Sequence, residues 1–255
     1  MHIQLPMQIV FNAPMTTQGC RGFACAQMPA ADEVMGFHCA LTDQARVRHV
    51  FLTHTHIDHL ASLPIFLENV YAAHSECVCL HGNEAVLDCL QRDLFNDRLF
   101  PDFVRISRER KPAYLRLSLL EEGKPVEVEG LRVTPVAVDH VVPTFAFVVE
   151  GPDGAVAIVT DTAPTEAIWR QCRRTPNLKA VFLEASFPNS DSFLAGIAKH
   201  LTADQFIEQA RKVGTDVQVI AVHLKARTQD RTAAEVLAHG LPNVQIAEPG
   251  RVYEI

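Results

Sequence analysis

The sequence predicts an α/β fold in which two packed β-sheets carry helices on their outer faces, an αββα sandwich. Three observations carry this reading. Strand-like segments dominate early and in the middle of the chain, helical segments punctuate both halves, and no linker or low-complexity stretch divides the 255 residues. A single domain spanning 1–255 is therefore expected, long enough to bury a sizeable core.

Taken in order, Arg46 to Thr53 (RVRHVFLT) has strand composition and ends in a histidine-rich turn. Leu60 to Ala73 reads as a helix, Cys77 to Leu80 as a short strand and Glu84 to Leu94 as an amphipathic helix. Arg108 to Glu122 is charged and reads as exposed surface. From Val126 to Val159 the runs PVEVEG, LRVTPVAVD, TFAFVVE and AVAIVT are separated by Gly, Pro and Asp signals, which predicts consecutive strands. Pro164 to Arg174 reads as a helix, Ala180 to Glu184 and Val217 to Val222 as strands. Thr202 with Gln205 has capping-box spacing and opens a helix, and Thr232 with Glu235 is expected to open another.

Composition narrows the function. An apolar fraction of 48% and a charged fraction of 21% are ordinary for a globular chain. Lys plus Arg number 23 against 30 Asp plus Glu, a net charge of −7, which argues against a broadly basic nucleic-acid face. No apolar run reaches the roughly 18 residues that a membrane helix needs. Met1 to Val10 lacks the basic residues and apolar run of a secretory signal, so a cytoplasmic protein without a membrane partner is expected. The cysteines are Cys20, Cys25, Cys39, Cys77, Cys79, Cys89 and Cys172. An odd count without repeated CxxC reads as reduced thiols. Cys20 and Cys25 could ligate a metal with a histidine, the alternative being small buried hydrophobes.

The strongest chemical signal is His54-Thr55-His56-Ile57-Asp58-His59, directly after an apolar strand. Imidazole nitrogens and carboxylate oxygens are the donors of a catalytic Zn²⁺ site. Alternate residues of a turn can face the same way, so His54 and His56 can share one ion while Asp58 and His59 face a neighbouring position. A solvated polar turn is the alternative. A catalytic ion needs further ligands, and His140, Asp161 and His223 each stand at the end of a later apolar strand, where a rigid sheet positions site residues.

These residues resemble the metallo-β-lactamase fold in its two-metal hydrolase form, over nearly the whole chain. Within that superfamily the sequence is similar to the class II 3′,5′-cyclic-nucleotide phosphodiesterases, relatives of ribonuclease Z. The matching segments are HTHIDHLASLPIF, LFNDRLFPDF, DHVVPTFAFVVEG, TDTAP with Ile168-Trp169, NLKAVFLEASFPNS, KHLT and HLK. The sequence departs from the pattern in two places: Gly19 to His38 is cysteine-rich where a Gly- and Asp-rich hairpin is usual, and TDT replaces GDT.

The resemblance implies an αββα metallo-β-lactamase sandwich with two divalent ions. It implies that His54, His56 and His140 hold one ion, that Asp58, His59 and His223 hold the second, and that Asp161 bridges them. Mixed N/O ligation suits Zn²⁺, with Mn²⁺ or Fe as alternatives. Asp58 could also orient the nucleophile. His200, just before the Thr202 cap, is the candidate acid for the leaving group, and KHLT aligns with the HxT element of this branch; a solvent-exposed loop histidine is the alternative. Glu184 could orient His200, or be a strand-end surface carboxylate. Lys225 could contact phosphate, or be a solvated lysine. Ile57 and Phe187 suggest a partly apolar wall for a purine. His2, His38, His49, His74, His81 and His239 have no spacing partner and read as structural or surface.

The implied substrate is a small 3′,5′-cyclic nucleotide, and the implied assembly includes a homodimer. A tRNA 3′-processing endonuclease is the alternative within the fold. The ribonuclease Z pattern usually carries a long tRNA-gripping arm between the equivalents of His140 and Asp161, and here that interval holds only two strands and a turn. A lactone or thioester hydrolase and a non-catalytic metal-binding sensor are further alternatives.

Overall fold

The computed structural model describes residues 2–4, 9–12, 22–25, 41–71, 77–248 and 252–254. They form two compact units. Each is built on its own seven-stranded sheet. Cys20, Cys39, His38 and His74, and the side chains of His2 and Cys25, lie outside the described residues. Among the described residues no helix is long and apolar enough to cross a membrane.

The first unit holds β1 (His2–Gln4), β2 (Ile9–Asn12), β3 (Gly22–Cys25), β4 (Val47–Phe51), β5 (Val78–Gly82), β6 (Leu115–Leu119) and β14 (Val252–Glu254), in the order β14-β1-β3-β2-β4-β5-β6. β4, β5 and β6 run parallel. Its helices are α1 (Leu41–Gln44), α2 (Ile57–Leu60), α3 (Leu63–Val70), α4 (Glu84–Cys89) and α5 (Phe103–Glu109). Leu63, Phe66, Leu67 and Val70 give α3 one apolar stripe, which meets Val50, Leu52, Val78 and Leu80 in the core. The helix expected from Leu60 to Ala73 is divided: α2 ends at Leu60 and Ser62 starts α3, with Pro64, which has no N–H to donate, in its first turn. Strand β5 passes directly into α4, where Asn83 Oδ1 accepts from Val86 N at 2.9 Å. A Cβ on Gly82 would lie 2.6 Å from Val86 Cγ1, so the turn requires glycine. The segment expected to be charged surface is exposed over most of its length and also contains β6. Its Leu/polar alternation (LRLSL) is that of an edge strand, pinned where Ser107 Oγ donates to Leu115 O at 2.7 Å and accepts from Leu115 N at 2.9 Å.

The second unit holds β7 (Val126–Val128), β8 (Leu131–Val138), β9 (Thr144–Glu150), β10 (Ala155–Val159), β11 (Leu178–Glu184), β12 (Gln218–Val222) and β13 (Val244–Ile246), paired in sequence order. α6 (Ala167–Arg174), α7 (Ser192–Ala198), α8 (Ala203–Ala210) and α9 (Gln229–Ala238) complete it. β8 and β10 are each antiparallel to β9, and β10, β11 and β12 are parallel. β8, β10, β11 and β12 therefore all run the same way, and their C-terminal ends share one edge. Trp169 of α6 is fully buried in the core, with Nε1 donating to Gln209 Oε1 of α8 at 2.8 Å. The cap expected at Thr232 is corrected: α9 begins a turn earlier, Thr232 is buried within it, and its Oγ1 donates to Thr228 O at 3.1 Å. Glu235 accepts from Asn189 N at 2.6 Å rather than closing a capping box.

Candidate metal centre

In the second unit, the shared strand edge gathers the site. His140 follows β8, Asp161 follows β10, Glu184 ends β11 and His223 follows β12. Asp161 (φ 50°) and His223 (φ 59°) both take the left-handed backbone region. Asp and His tolerate that region better than branched residues do, and such strain clusters at functional positions. The Asp161 carboxylate, 1% exposed, divides its oxygens: Oδ2 lies 3.8 Å from His140 Nε2 and Oδ1 lies 3.3 Å from His223 Nε2. His140 is oriented through its other nitrogen, Nδ1, which donates to Lys199 O at 3.1 Å and leaves Nε2 facing Asp161. Lys199, also left-handed (φ 53°), anchors this contact by donating Nζ to Asp139 Oδ1 at 2.7 Å. The Asp161 turn is tied to the same strand end, since Ala163 N donates to Asp139 O at 2.7 Å.

Beside these side chains stands His200. Its Nδ1 is held between Glu184 Oε1 and Oε2 at 3.0 and 3.1 Å. Glu184 is 0% exposed and is fixed by further donors: Thr162 N at 2.6 Å, Ser186 Oγ at 2.6 Å and Leu201 N at 3.1 Å. Burial pulls the His200 pKa down, but the hydrogen bond and charge of Glu184, reinforced by the charge of Asp161 and opposed by Lys225, leave it above the ordinary histidine value. The Thr202 capping box forms as expected, with Gln205 N donating to Thr202 Oγ1 at 3.3 Å and Thr202 N donating to Gln205 Oε1 at 3.0 Å. Lys225 Nζ is 2.7 Å from His223 Nε2. The Phe187 ring lies 5.7 Å from that of His200 and is only 9% exposed, so it can offer a substrate little more than an edge. Ligand atoms of Asp161, His200 and His223 lie within 4.8 Å of one another.

In the first unit, β4 delivers the HTHIDH turn. His54 and His59 are buried, and His54 Nε2 faces His56 Nδ1 at 3.0 Å. Thr53 Oγ1 sits 3.0 Å from His54 Nδ1 and 3.4 Å from His59 Nδ1, orienting both rings through the nitrogens turned away from His56 and Asp58. Asp58 Oδ2 is 3.8 Å from His59 Nε2. Ile57 is 65% exposed within the turn.

Sequence reasoning missed Ser186, Lys199 and Asp139, which hold Glu184 and His140. Ser186 could have been found from its place two residues after Glu184 in LEAS, on the same face of an extended segment. His49 and His81, read as structural or surface, meet in the first unit, where adjacent parallel strands place His49 Nδ1 2.9 Å from His81 Nε2. Cys79 and Cys172 are buried, and burial pushes the Cys172 thiol up to about 12.

Two α/β units, with histidines and carboxylates concentrated where their strands end, define a metallohydrolase scaffold. The family described as Beta-lactamase superfamily domain matches residues 25–224, and the chain belongs to that family. The chain is similar to the curated Ribonuclease Z of Bacillus velezensis, 22% identical over 284 aligned positions that cover 89% of each protein. The crystal structure of unliganded yeast PDE1 superimposes with a TM-score of 0.68 at 20% identity, covering 82% of this chain and 68% of that one. Human tRNase Z, short form, gives a TM-score of 0.60 at 17% identity over 83% of this chain and 80% of that one. The α/β fold is that of the metallo-β-lactamases, and the protein is a metal-dependent hydrolase.

The Glu184–His200 pair makes a pH prediction. An imidazolium held above its ordinary pKa stays protonated further into the alkaline range and loses its proton as pH rises through the raised value. Glu184→Gln removes the anion, so the alkaline limb of kcat should move to lower pH. Rate profiles of the two proteins check this. An unmoved limb would mean that Glu184 does not hold the proton on His200.

Proposed function

We propose that the chain is a dinuclear-metal phosphodiesterase that hydrolyses 3′,5′-cyclic nucleotides, cAMP first among them, to 5′-monophosphates. The carrying observation is the connection between His140 and Asp161. It consists of residues 141–143, β9, a tight turn in which Gly151 N donates to Gly154 O at 2.9 Å, and β10. Nothing in that connection could serve as an arm that grips RNA. A net charge of −7 supports the same reading, since a tRNA must be held by many cationic contacts.

The donor chemistry fits two divalent ions. His54, His56 and His140 would hold one, Asp58, His59 and His223 the other, with Asp161 between them. In support, the two oxygens of Asp161 already face different histidines, the two that this assignment gives to different ions. When bound, the ions supply Lewis acidity toward the phosphoryl oxygens and lower the pKa of water. The chain's own residues supply the rest. Asp58, the exposed carboxylate of the turn, orients the attacking water in line with the P–O3′ bond. Lys225 contributes a cation toward a non-bridging phosphate oxygen. As the P–O3′ bond breaks, His200 delivers its Nε2 proton to O3′, while Glu184 holds Nδ1 and stabilises the charged ring.

A second reading, a tRNA 3′-processing endonuclease, is favoured by the likeness to Ribonuclease Z over 89% of both chains. A substrate panel on metal-replete protein separates the two. 3′,5′-cAMP should be hydrolysed with modest sensitivity to salt, and precursor tRNA should be left intact at the same enzyme concentration. Efficient tRNA cleavage with cAMP untouched would replace the first reading by the second.

A further inference from the structure

Within the first unit, a second group of metal-binding side chains lies on strands β4 and β5, sharing no residue with the set above. His49 and Cys79 are directly opposite in the parallel register. His81 follows Cys79 by two residues and so lies on the same face. One donor atom from each of the three lies within 4.8 Å of the others. Cys79 is 1% exposed and His81 3%, in a strand that is buried throughout. The His49 and His81 rings meet through Nδ1 of the one and Nε2 of the other, 2.9 Å apart, so both nitrogens can face one ion.

We propose that His49, Cys79 and His81 form a separate binding site for a borderline transition-metal ion such as Zn²⁺. Two imidazoles and a thiolate are its preferred donors, and a water can complete a tetrahedron. Around such an ion ligand nitrogens stand about 3.3 Å apart, given Zn–N bonds of about 2.0–2.1 Å. The observed 2.9 Å therefore needs to open only slightly. Arg116 stands opposite Cys79 on β6, a cation beside the sulfur. His49 is half-buried and Arg116 exposed, which leaves an ion a way in. The ion would clamp β4 to β5 just before the HTHIDH turn, where Leu52 N already donates to His81 O at 2.8 Å. Its role is to brace the strand that presents the catalytic histidines.

The test is a Co²⁺ titration of the full-length, metal-stripped chain under reducing conditions. Bound cobalt and the ultraviolet thiolate-to-cobalt charge-transfer band are followed together. One thiolate-ligated cobalt per chain is expected. The band should vanish in Cys79→Ser and persist in Asp161→Asn, which alters only the other centre. His49→Gln, a change at a half-buried position that spares the fold should Cys79→Ser not, should weaken the cobalt that gives the band at least about tenfold. No band in the unmodified chain, a band unchanged in Cys79→Ser, or undiminished affinity in His49→Gln would overturn the proposal.

Discussion

Replacing Asp161 by Asn is expected to abolish hydrolysis and to release at least one divalent ion per chain. Asp161 is almost fully buried, and its oxygens face His223 at 3.3 Å and His140 at 3.8 Å. A carboxylate can serve two ions because it has two equivalent oxygens and a charge that offsets theirs. Asn keeps one oxygen and no charge, so the pair of dications is left under-neutralised. Asn is also the informative replacement on backbone grounds. Position 161 has φ 50°, which Asn and Asp adopt with side-chain support. Ala there would add about 1–2 kcal/mol of strain and confuse loss of a ligand with loss of the turn. Elemental analysis of the purified variant, together with hydrolysis of bis(p-nitrophenyl) phosphate, checks the result. Two retained ions would contradict the bridging assignment.

The parts of this architecture that could be read from the sequence are those in which one strand and its end carry the whole signal. LRVTPVAVD, AVAIVT and VQVIAV are apolar enough to announce strands, and His140, Asp161 and His223 stand where each run stops. Because β8, β10, β11 and β12 share a direction, strand ends in sequence become neighbours in space. What escaped the sequence depends on pairings between distant segments. Lys199 orients His140 from 59 residues away. His49 and His81, 32 residues apart, meet only because of the β4–β5 register. Strand β6 escaped notice inside a segment of mostly exposed, charged residues, because it lies at the sheet edge, where one face of the alternation is polar. Thr232 and Glu235 had the spacing of a cap, yet they lie inside α9, whose first turn begins at Gln229. Local spacing identifies a motif without saying whether the chain was already helical before it.

Loss of the His200 imidazole in His200→Ala is expected to lower kcat for a cyclic nucleotide by about 10²–10⁴, the range of a general acid. The geometry makes this more than a positional role. Nδ1 is locked between the Glu184 oxygens at 3.0 and 3.1 Å, so the transferable proton is the one on Nε2. Ser186, donating to Glu184 Oε2 at 2.6 Å, and Thr162 N, donating to Oε1 at 2.6 Å, keep the carboxylate from turning away. The ring thus has a fixed direction, a fixed tautomer and a pKa lifted by its partner. A proton is needed only where the departing oxygen is a strong base. The 3′-oxygen of a ribose is one, and p-nitrophenolate is not. His200→Ala should therefore cripple hydrolysis of 3′,5′-cAMP while sparing most of the activity on bis(p-nitrophenyl) phosphate, with metal content unchanged by elemental analysis. If both substrates slowed equally, His200 would be placing the phosphate rather than protonating the leaving group. If metal were lost as well, the imidazole would be acting as a ligand.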